Sequence, residues 1–557
     1  MSAFSPWRNR PRPTLEALGA LVGIAGGTAA QQEPPPVLRE VHVETADVFA
    51  EDTGNLLYWF ANTFHATTDP DVVRREVFLA PGEPVRDEQV AELARNLRRL
   101  NLFGEVEADL EDGGDGFADL RLRTRDRFSL LVSASASSVG GVESYGGILG
   151  ETNLFGTGKR LTVSARREDE DDRYTLRYQD PQLFGTWHTA SVAVGDATEG
   201  AFGFLDIRRP FRHLQDPWSY GLRVGFEGRD IDYYARGESV AFLPEQREVA
   251  SFYVARGFGP RNLRTSLGFD FRFESVRVDA LAGAQPDFVE VPGDTRELQV
   301  AGSFGLDWNQ AFVIARRLDS IDYDEDLGLG VSTGLRWGVA VRDEEGVGTA
   351  LQPLLTWTTR AAVSPVEDAY LTFESDVGGR TESRELRAWG ADAALHGFAL
   401  ALPGQTLACS ARVARAFSEQ GIRPQLTLGE DNGLRGYPAR YFASDRLAVL
   451  NFEDRIDIGL ELWSIHVGFA AFADVGFIPV EATGRSFGDP LRSVGIGLRF
   501  ASSELFGGGV FRLDVARPLD DVPGEDFGIT VSGGAGQVFG FFGNAAELVA
   551  EFAGVGR

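Results

Sequence analysis

The chain has 557 residues, a formal net charge of −28 and a single cysteine, Cys409. One thiol excludes an intramolecular disulfide, and so acidic a protein repels phosphate backbones, which argues against nucleic acid as a partner. No run approaches the ~18–20 consecutive apolar residues of a spanning helix, so a membrane role would require the other permitted architecture, a closed β-barrel.

Arg8, Arg10 and Arg12 precede an apolar stretch from Ala17 to Ala25 and small residues up to Thr28-Ala29-Ala30. This is the order of a secretory signal over residues 1–30, cleaved before Gln31, although Glu16 runs against the pattern. A linker, 31–36, leads into a small mixed α/β module, 37–126. "VLREVHVET" (37–45) alternates as a strand, and "GNLLYWFANTF" (54–64) is compatible with a helix. "TDPDVVRREVFLAPGEP" (68–84) opens on a cap-like Thr/Asp and closes on Pro-Gly. In "RDEQVAELARNLRRL" (86–100), Val90, Leu93, Leu97 and Leu100 share one helical face. "FGEVEADLE" (103–111) and "GFADLRLRTR" (116–125) form a hairpin around Asp112-Gly113-Gly114-Asp115.

From residue 128 the period becomes two. In "WSYGLRVGF" (218–226), Trp218, Tyr220, Leu222, Val224 and Phe226 share one face; in "LGFDFRFE" (267–274), Leu267, Phe269, Phe271 and Phe273 do. "FRLDV" (511–515) repeats the rhythm. Several segments reach nine residues or more, the length of a lipid-spanning strand and longer than the ~5–6 of a soluble sandwich. Roughly twenty such runs lie between 128 and 540, five of them after the stretch "GLRGYPARYF" (433–442). The fold class is therefore mainly β, a transmembrane antiparallel barrel over 127–542 preceded by one small α/β domain, with residues 543–557 as a C-terminal extension.

Arg435 in that stretch needs a partner. In "HVGFAAFADVGF" (466–477) the odd positions are all apolar, so Asp474, on the even face with Gly476, faces the lumen. If the loop 418–443 folds inward, Asp474 can take Arg435 in a bidentate pair. "DRLAVLNFEDRIDIGLEL" (445–462) puts Asn451, Glu453, Arg455 and Asp457 on one face; Asp454 falls on the apolar face, where a bulge is one explanation.

These stretches resemble the BamA/TamA-type bacterial surface-antigen superfamily of outer-membrane assembly and translocation proteins. "LRGY" (434–437) matches the family's loop motif, "LNFEDR" (450–455) is similar to the family's next strand, and "FADVG" (472–476) matches a later strand motif. "ETNLFGTGKRL" (151–161) and "YQDPQLFG" (178–185) resemble its second to fourth barrel strands, and 37–126 resembles one POTRA domain. The resemblance implies sixteen strands, a periplasmic POTRA-like domain, an inward loop paired through Arg435 and Asp474, and a site drawn from Arg435, Gly436, Tyr437, Glu453, Asp474 and Gly476. The end of the chain departs from the family, whose members usually finish on an aromatic of the last strand.

The first barrel strand, "FSLLVSASASS" (128–138), and the last, "FGITVSGGAGQVF" (527–539), must meet to close the cylinder. Both are poor in bulky β-formers, and such strands pair weakly. A soft seam at Leu131, Ser133, Val531, Gly533 and Gly534 is expected. Clients would add to a strand edge of the module, "GEVEADLE" being the favoured edge. The function read from this is assistance to insertion or translocation of polypeptides, among outer-membrane lipid, unfolded or translocating clients and periplasmic accessory proteins. The alternative is a passive pore or structural surface-antigen barrel.

No enzyme, cofactor or metal is expected. "GVSTG" (330–334) fits the serine-hydrolase pattern but lies in a strand run, not at the strand-to-helix elbow that chemistry needs. His42, His65, His188, His213, His396 and His466 lack ligand spacing. "EDEDDR" (168–173) and "DYDED" (322–326) suit solvated loops better than calcium.

Overall fold

A computed structural model describes residues 34–48, 65–139, 141–168, 171–283, 291–319, 324–383, 385–418, 425–462, 465–480, 486–501, 510–535 and 537–538. The signal-like segment 1–30, the stretch 54–64 and the extension 543–557 lie outside the described residues.

Among the described residues, the N-terminal module is a three-stranded sheet covered by two helices. β1 (Val37–Ala46) and β2 (Phe103–Gly114) flank β3 (Phe117–Asp126), parallel and antiparallel to it respectively. α1 (Pro70–Glu76) starts at Asp69, whose side chain accepts the Asp71 amide, with Pro70 at the first helical position. α2 (Asp87–Arg99) is opened by Gln89, whose side chain accepts the Arg86 amide at 3.0 Å, and stops at Asn101, held at φ 57. The helices bury Val72, Val73, Leu93 and Leu97 against Leu120 and Leu122. Each such side chain contributes roughly 1.5–3 kcal/mol relative to exposure.

The rest of the described chain closes into one antiparallel barrel. Among the described residues it has twenty long strands, fifteen before the inward loop and five after it, plus the two-residue Ala282–Gly283. The direct count of about twenty therefore stands, and the sixteen implied by the family resemblance is corrected: four more strands lie before the loop. The inside-out pattern explains why these segments form a barrel. Leu267, Phe269, Phe271 and Phe273 are exposed on the outer face, while Arg272 between them is buried. The inner wall pairs its charges across strands, as in Arg336–Asp270 at 2.6 Å and Arg412–Asp392 at 2.6 Å. Apolar outside and satisfied polar inside is the partition a bilayer demands, the reverse of a water-soluble core.

Strand length is uneven. The long strands from Trp218 to Leu402 run to between 14 and 22 residues. Those flanking the closure, Ile465–Ala535 and Leu130–Arg209, have between 6 and 13.

The module sits on the barrel turns through polar contacts. Asn96 Nδ2 donates to Arg212 O at 2.9 Å, the Leu214 amide donates to Glu92 at 2.6 Å, and Arg98 pairs with Asp326 at 2.5 Å. Arg212 also pairs with the buried Glu76 at 3.2 Å.

Two local expectations need correction. The ladder runs regularly through Asp454, which is opposite Leu407 and Ala471; the irregularity falls between Asp457 and Leu460. Asp454 is accommodated instead by Gln405, whose Nε2 donates to it at 2.6 Å. Of the expected strand 527–539, the described residues form one over Thr530–Ala535, with 527–529 and 537–538 outside it. Beyond it Gln537 accepts from Arg499 Nε at 3.3 Å, and Val538 packs with the lumen-side cluster that includes Leu318 and Phe398.

Candidate functional site: the inward loop and the barrel closure

The described part of the loop runs from Gln425 to Asp445. A short hairpin, Leu426–Leu428 with Phe442–Ser444, ties its neck. Leu434 and Tyr437 are fully buried, in a cluster with Leu428, Phe442, Leu447, Ile478 and Leu491. This spacing turns the intervening Arg435 toward the wall. Gly433 at φ 109 and Gly436 at φ 89 supply the left-handed backbone that the tight reversal requires. A Cβ at Gly436 would also press on Pro518 Cδ at 3.3 Å and Ala516 Cβ at 3.4 Å. On the wall, a Cβ on Gly476 would lie 2.7 Å from Leu428 Cδ2 and 3.0 Å from Leu434 Cδ2, so those buried loop side chains would have to shift.

Arg435 is completely buried. Its Nε and Nη2 donate to the two oxygens of Asp474 at 2.8 and 2.9 Å, a bidentate fork, and Nη1 donates to Glu453 at 2.9 Å. The guanidinium lies 3.4 Å from the centroid of the Phe472 ring, a cation–π contact strengthened by dehydration. Asn451, directly opposite Asp474, donates to it at 2.7 Å and to Gly433 O at 2.6 Å. Tyr437 Oη donates to Arg492 O at 3.1 Å.

The network continues around the wall. Glu453 also accepts from Arg499 at 3.2 Å and Arg455 at 3.3 Å. Asp514 accepts from Arg499 at 2.5 Å and Arg512 at 2.9 Å, and lies 3.8 Å from Arg435. Arg455 reaches the carbonyl of Leu318. Four guanidinium groups thus share three carboxylates on four strands and one loop. Such a buried set contributes little net stability compared with an apolar replacement but specifies one arrangement, because removing a single member strands its partners. Sequence parity identified Asp474 and Glu453 on lumen faces. Arg499, Asp514 and Asn451 lacked an assigned role in the sequence reading; the available signal was their place on the polar face of alternating strands.

The closure is a different kind of site. Thr530–Ala535 pairs with Val510–Pro518 over six positions, but with β4 (Leu130–Val139) at one, Gly533 opposite Ser138. Leu131 and Ser133 are paired on their other side, with Gly150 and Ile148. Val531 is 60 % exposed on the outside, and Gly534 lies opposite Arg512. Among the described residues, Gly533 is the one proposed seam residue that takes part in the closing register. The "GVSTG" serine, Ser332, lies inside the strand Asp324–Glu344 and donates to Asp307 at 2.7 Å. Among the described residues, no group of three or more His, Cys, Asp or Glu side chains is arranged to hold a metal ion.

The geometry defines a class: a closed, lumen-charged barrel with an inward loop locked by arginine and a small α/β module on its turns. No protein-family model matches the chain. Among curated proteins it is similar to the outer membrane protein assembly factor BamA of Neorickettsia risticii (strain Illinois), 30% identical over 130 residues, which are 23% of this chain and 17% of that protein. The match thus spans less than a fifth of the relative. Among solved structures it is similar to BamA from Haemophilus ducreyi lacking POTRA domains 1-3 (12% identity, 90% of this chain and 84% of that chain, TM-score 0.42). It is also similar to CdiB from Escherichia coli (11% identity, 90% and 76%, TM-score 0.47). The curated match agrees with the resemblance of the chain's own motifs to the BamA/TamA-type surface-antigen superfamily.

Proposed function

We propose that the protein is an outer-membrane barrel that assists insertion or translocation of other polypeptides, without catalysing a covalent reaction, with its POTRA-like module in the periplasm. The observation that carries this reading is the weak closing register: among the described residues one pair, Gly533 opposite Ser138, joins the first and last strands. Backbone groups left without a ladder partner at a lipid-facing edge are costly, and a client strand can satisfy them by adding to the edge. The locked loop supports the same reading, because a rigid network at Arg435 keeps the remainder of the wall in register while the seam parts. Clients reach it along β2, an edge of the module's sheet; periplasmic accessory proteins would share that surface.

A disulfide across the observed register tests the proposal. In a Cys409→Ser background, Ser138→Cys with Gly533→Cys places two thiols at opposed antiparallel positions, within disulfide reach. Oxidation should abolish client insertion into vesicles and reduction should restore it. Full activity in the quantitatively crosslinked protein would reject the seam. Client-independent ion conductance with no insertion in either state would assign a passive pore.

A further inference from the structure

Two turns at the module side of the barrel carry the same four residues, Leu154-Phe155-Gly156-Thr157 and Leu183-Phe184-Gly185-Thr186. They also fold alike. Phe155 and Phe184 both have φ 54, and the following glycines both have φ 72. The Thr157 amide donates to Leu154 O at 3.2 Å and the Thr186 amide to Leu183 O at 3.1 Å; the threonine hydroxyls donate to the same carbonyls at 2.6 and 2.7 Å. Positive φ at both central positions is type I′ geometry, which ordinarily takes Asn-Gly or Asp-Gly. A bulky aromatic residue in the first of those positions is an outlier. No packing offsets it: Phe155 is 84% and Phe184 91% exposed, more than any other large hydrophobic residue among those described.

Both turns continue the outer apolar wall. Leu161, Val163, Leu176 and Val194 are exposed above them, with Val163 opposite Leu176 and Leu176 opposite Val194. Lys159, the only lysine of the chain, lies on the same outward alternation, two residues nearer the turn than Leu161. At the module-side ends of neighbouring strands Trp218 and Phe258 are also exposed, each 5.2 Å from the Arg256 guanidinium. Aromatic rings beside cationic side chains at the edge of an apolar wall mark the level of lipid headgroups. The inner sides of the turns grip the module. Asn153 Nδ2 donates to Thr68 Oγ1 at 2.9 Å, the Asp69 amide to Gly156 O at 2.8 Å, Gln182 Nε2 to Glu76 at 2.7 Å and Trp187 Nε1 to Arg75 O at 2.6 Å.

We propose that Phe155 and Phe184 are a pair of aromatic anchors seated in the phospholipid leaflet on the module's side of the membrane. This rests on the outer-membrane reading. Each turn then holds lipid on one side and the module on the other, so the leaflet sets the level of the module beneath the first strands of the barrel. Continuity with the apolar wall, and exposed Trp218 and Phe258 beside Arg256 at the same end of the barrel, select phospholipid as the occupant.

Full-length protein in a Cys409→Ser background is labelled with an environment-sensitive fluorophore at Phe155→Cys, Phe184→Cys, Val163→Cys or Glu107→Cys, and reconstituted with phosphatidylcholine spin-labelled near the headgroup. The anchors require at least twofold quenching at 155 and 184 and none at Glu107 on the module. Quenching at 163 but not at 155 or 184 would overturn the anchors alone; absence at all three would overturn the membrane reading with them. A second variant separates anchoring from folding. Phe155→Asn with Phe184→Asn puts the preferred residue into each turn, so the thermal midpoint in detergent should hold or rise; a fall would show that the rings serve the fold.

Discussion

The wall from Trp218 to Leu402 and the closure between Leu130–Val139 and Thr530–Ala535 obey the same alternation but are built to different strengths. In the first, strands such as Thr295–Arg316 and Asp324–Glu344 are paired along nearly their whole length. In the second, one position is paired among the described residues. The difference teaches where the cylinder can part. A ladder of twenty residues opens only by losing many hydrogen bonds together, whereas the closure is held by a strand of small residues whose continuation turns into the lumen.

The sharpest way to break this contrast is at the lock. Arg435→Ala leaves Asp474 and Glu453 buried without their shared cation, and should cost about 3–5 kcal/mol. Heat-modifiable migration and protease sensitivity of the loop measure it; a variant as resistant as the parent would show that the loop is held by its apolar cluster alone. On the long wall, Phe271→Arg places a charge on the lipid face, with an expected cost of about 2–4 kcal/mol near mid-membrane. The same change at Val531 should cost less, because an already poorly paired edge can let the side chain turn to water. Equal losses in unfolding titrations would erase the distinction. Gly476→Ala should loosen the loop by about 1–3 kcal/mol, through overpacking against Leu428. Amide exchange should be slow in Leu263–Val278 and fast in Thr530–Ala535; comparable protection would argue for a firmly closed barrel.

The smallest effect concerns the module. Burial pushes the pKa of His213 down, with the nearby charges of Asp216 and Glu92 opposing it, and its ring stacks on Phe78 at 4.7 Å. The folded protein favours the neutral ring, so this contribution is complete above the ordinary histidine pKa of about 6.5 and fades as pH falls through the lowered folded value. Acidification should therefore loosen the docked module slightly, and His213→Phe should remove that part of the pH dependence in proteolysis of the 100–130 region.

Much of the architecture was legible because lipid and lumen impose a strict period of two. Leu267 to Phe273 could be assigned to one face without knowing any neighbour, and the same parity separated Asp474 from the apolar residues beside it. The α2 face of Val90, Leu93 and Leu97 was legible for the same kind of reason, a period of 3.6 against one core. The rest of the network that Arg435 forms with Asp474 and Glu453 was not. Asp514 and Arg499 lie on later strands, and alternation assigns each to the lumen face without saying which lumen groups meet at one level of the wall. Nor did Phe155 and Phe184 stand out as a pair: their likeness lies in backbone conformation and exposure.

By itself, then, the order of residues determined an inside-out β cylinder with an α/β appendage, since alternation and helical spacing are local properties. The folded molecule decided between the roughly twenty strands of the direct count and the sixteen of the resemblance, and among the described residues it set a last strand of Thr530–Ala535 and a closing contact at Ser138 and Gly533. Those are outcomes of closure, in which every strand's register is set by all the others around the ring.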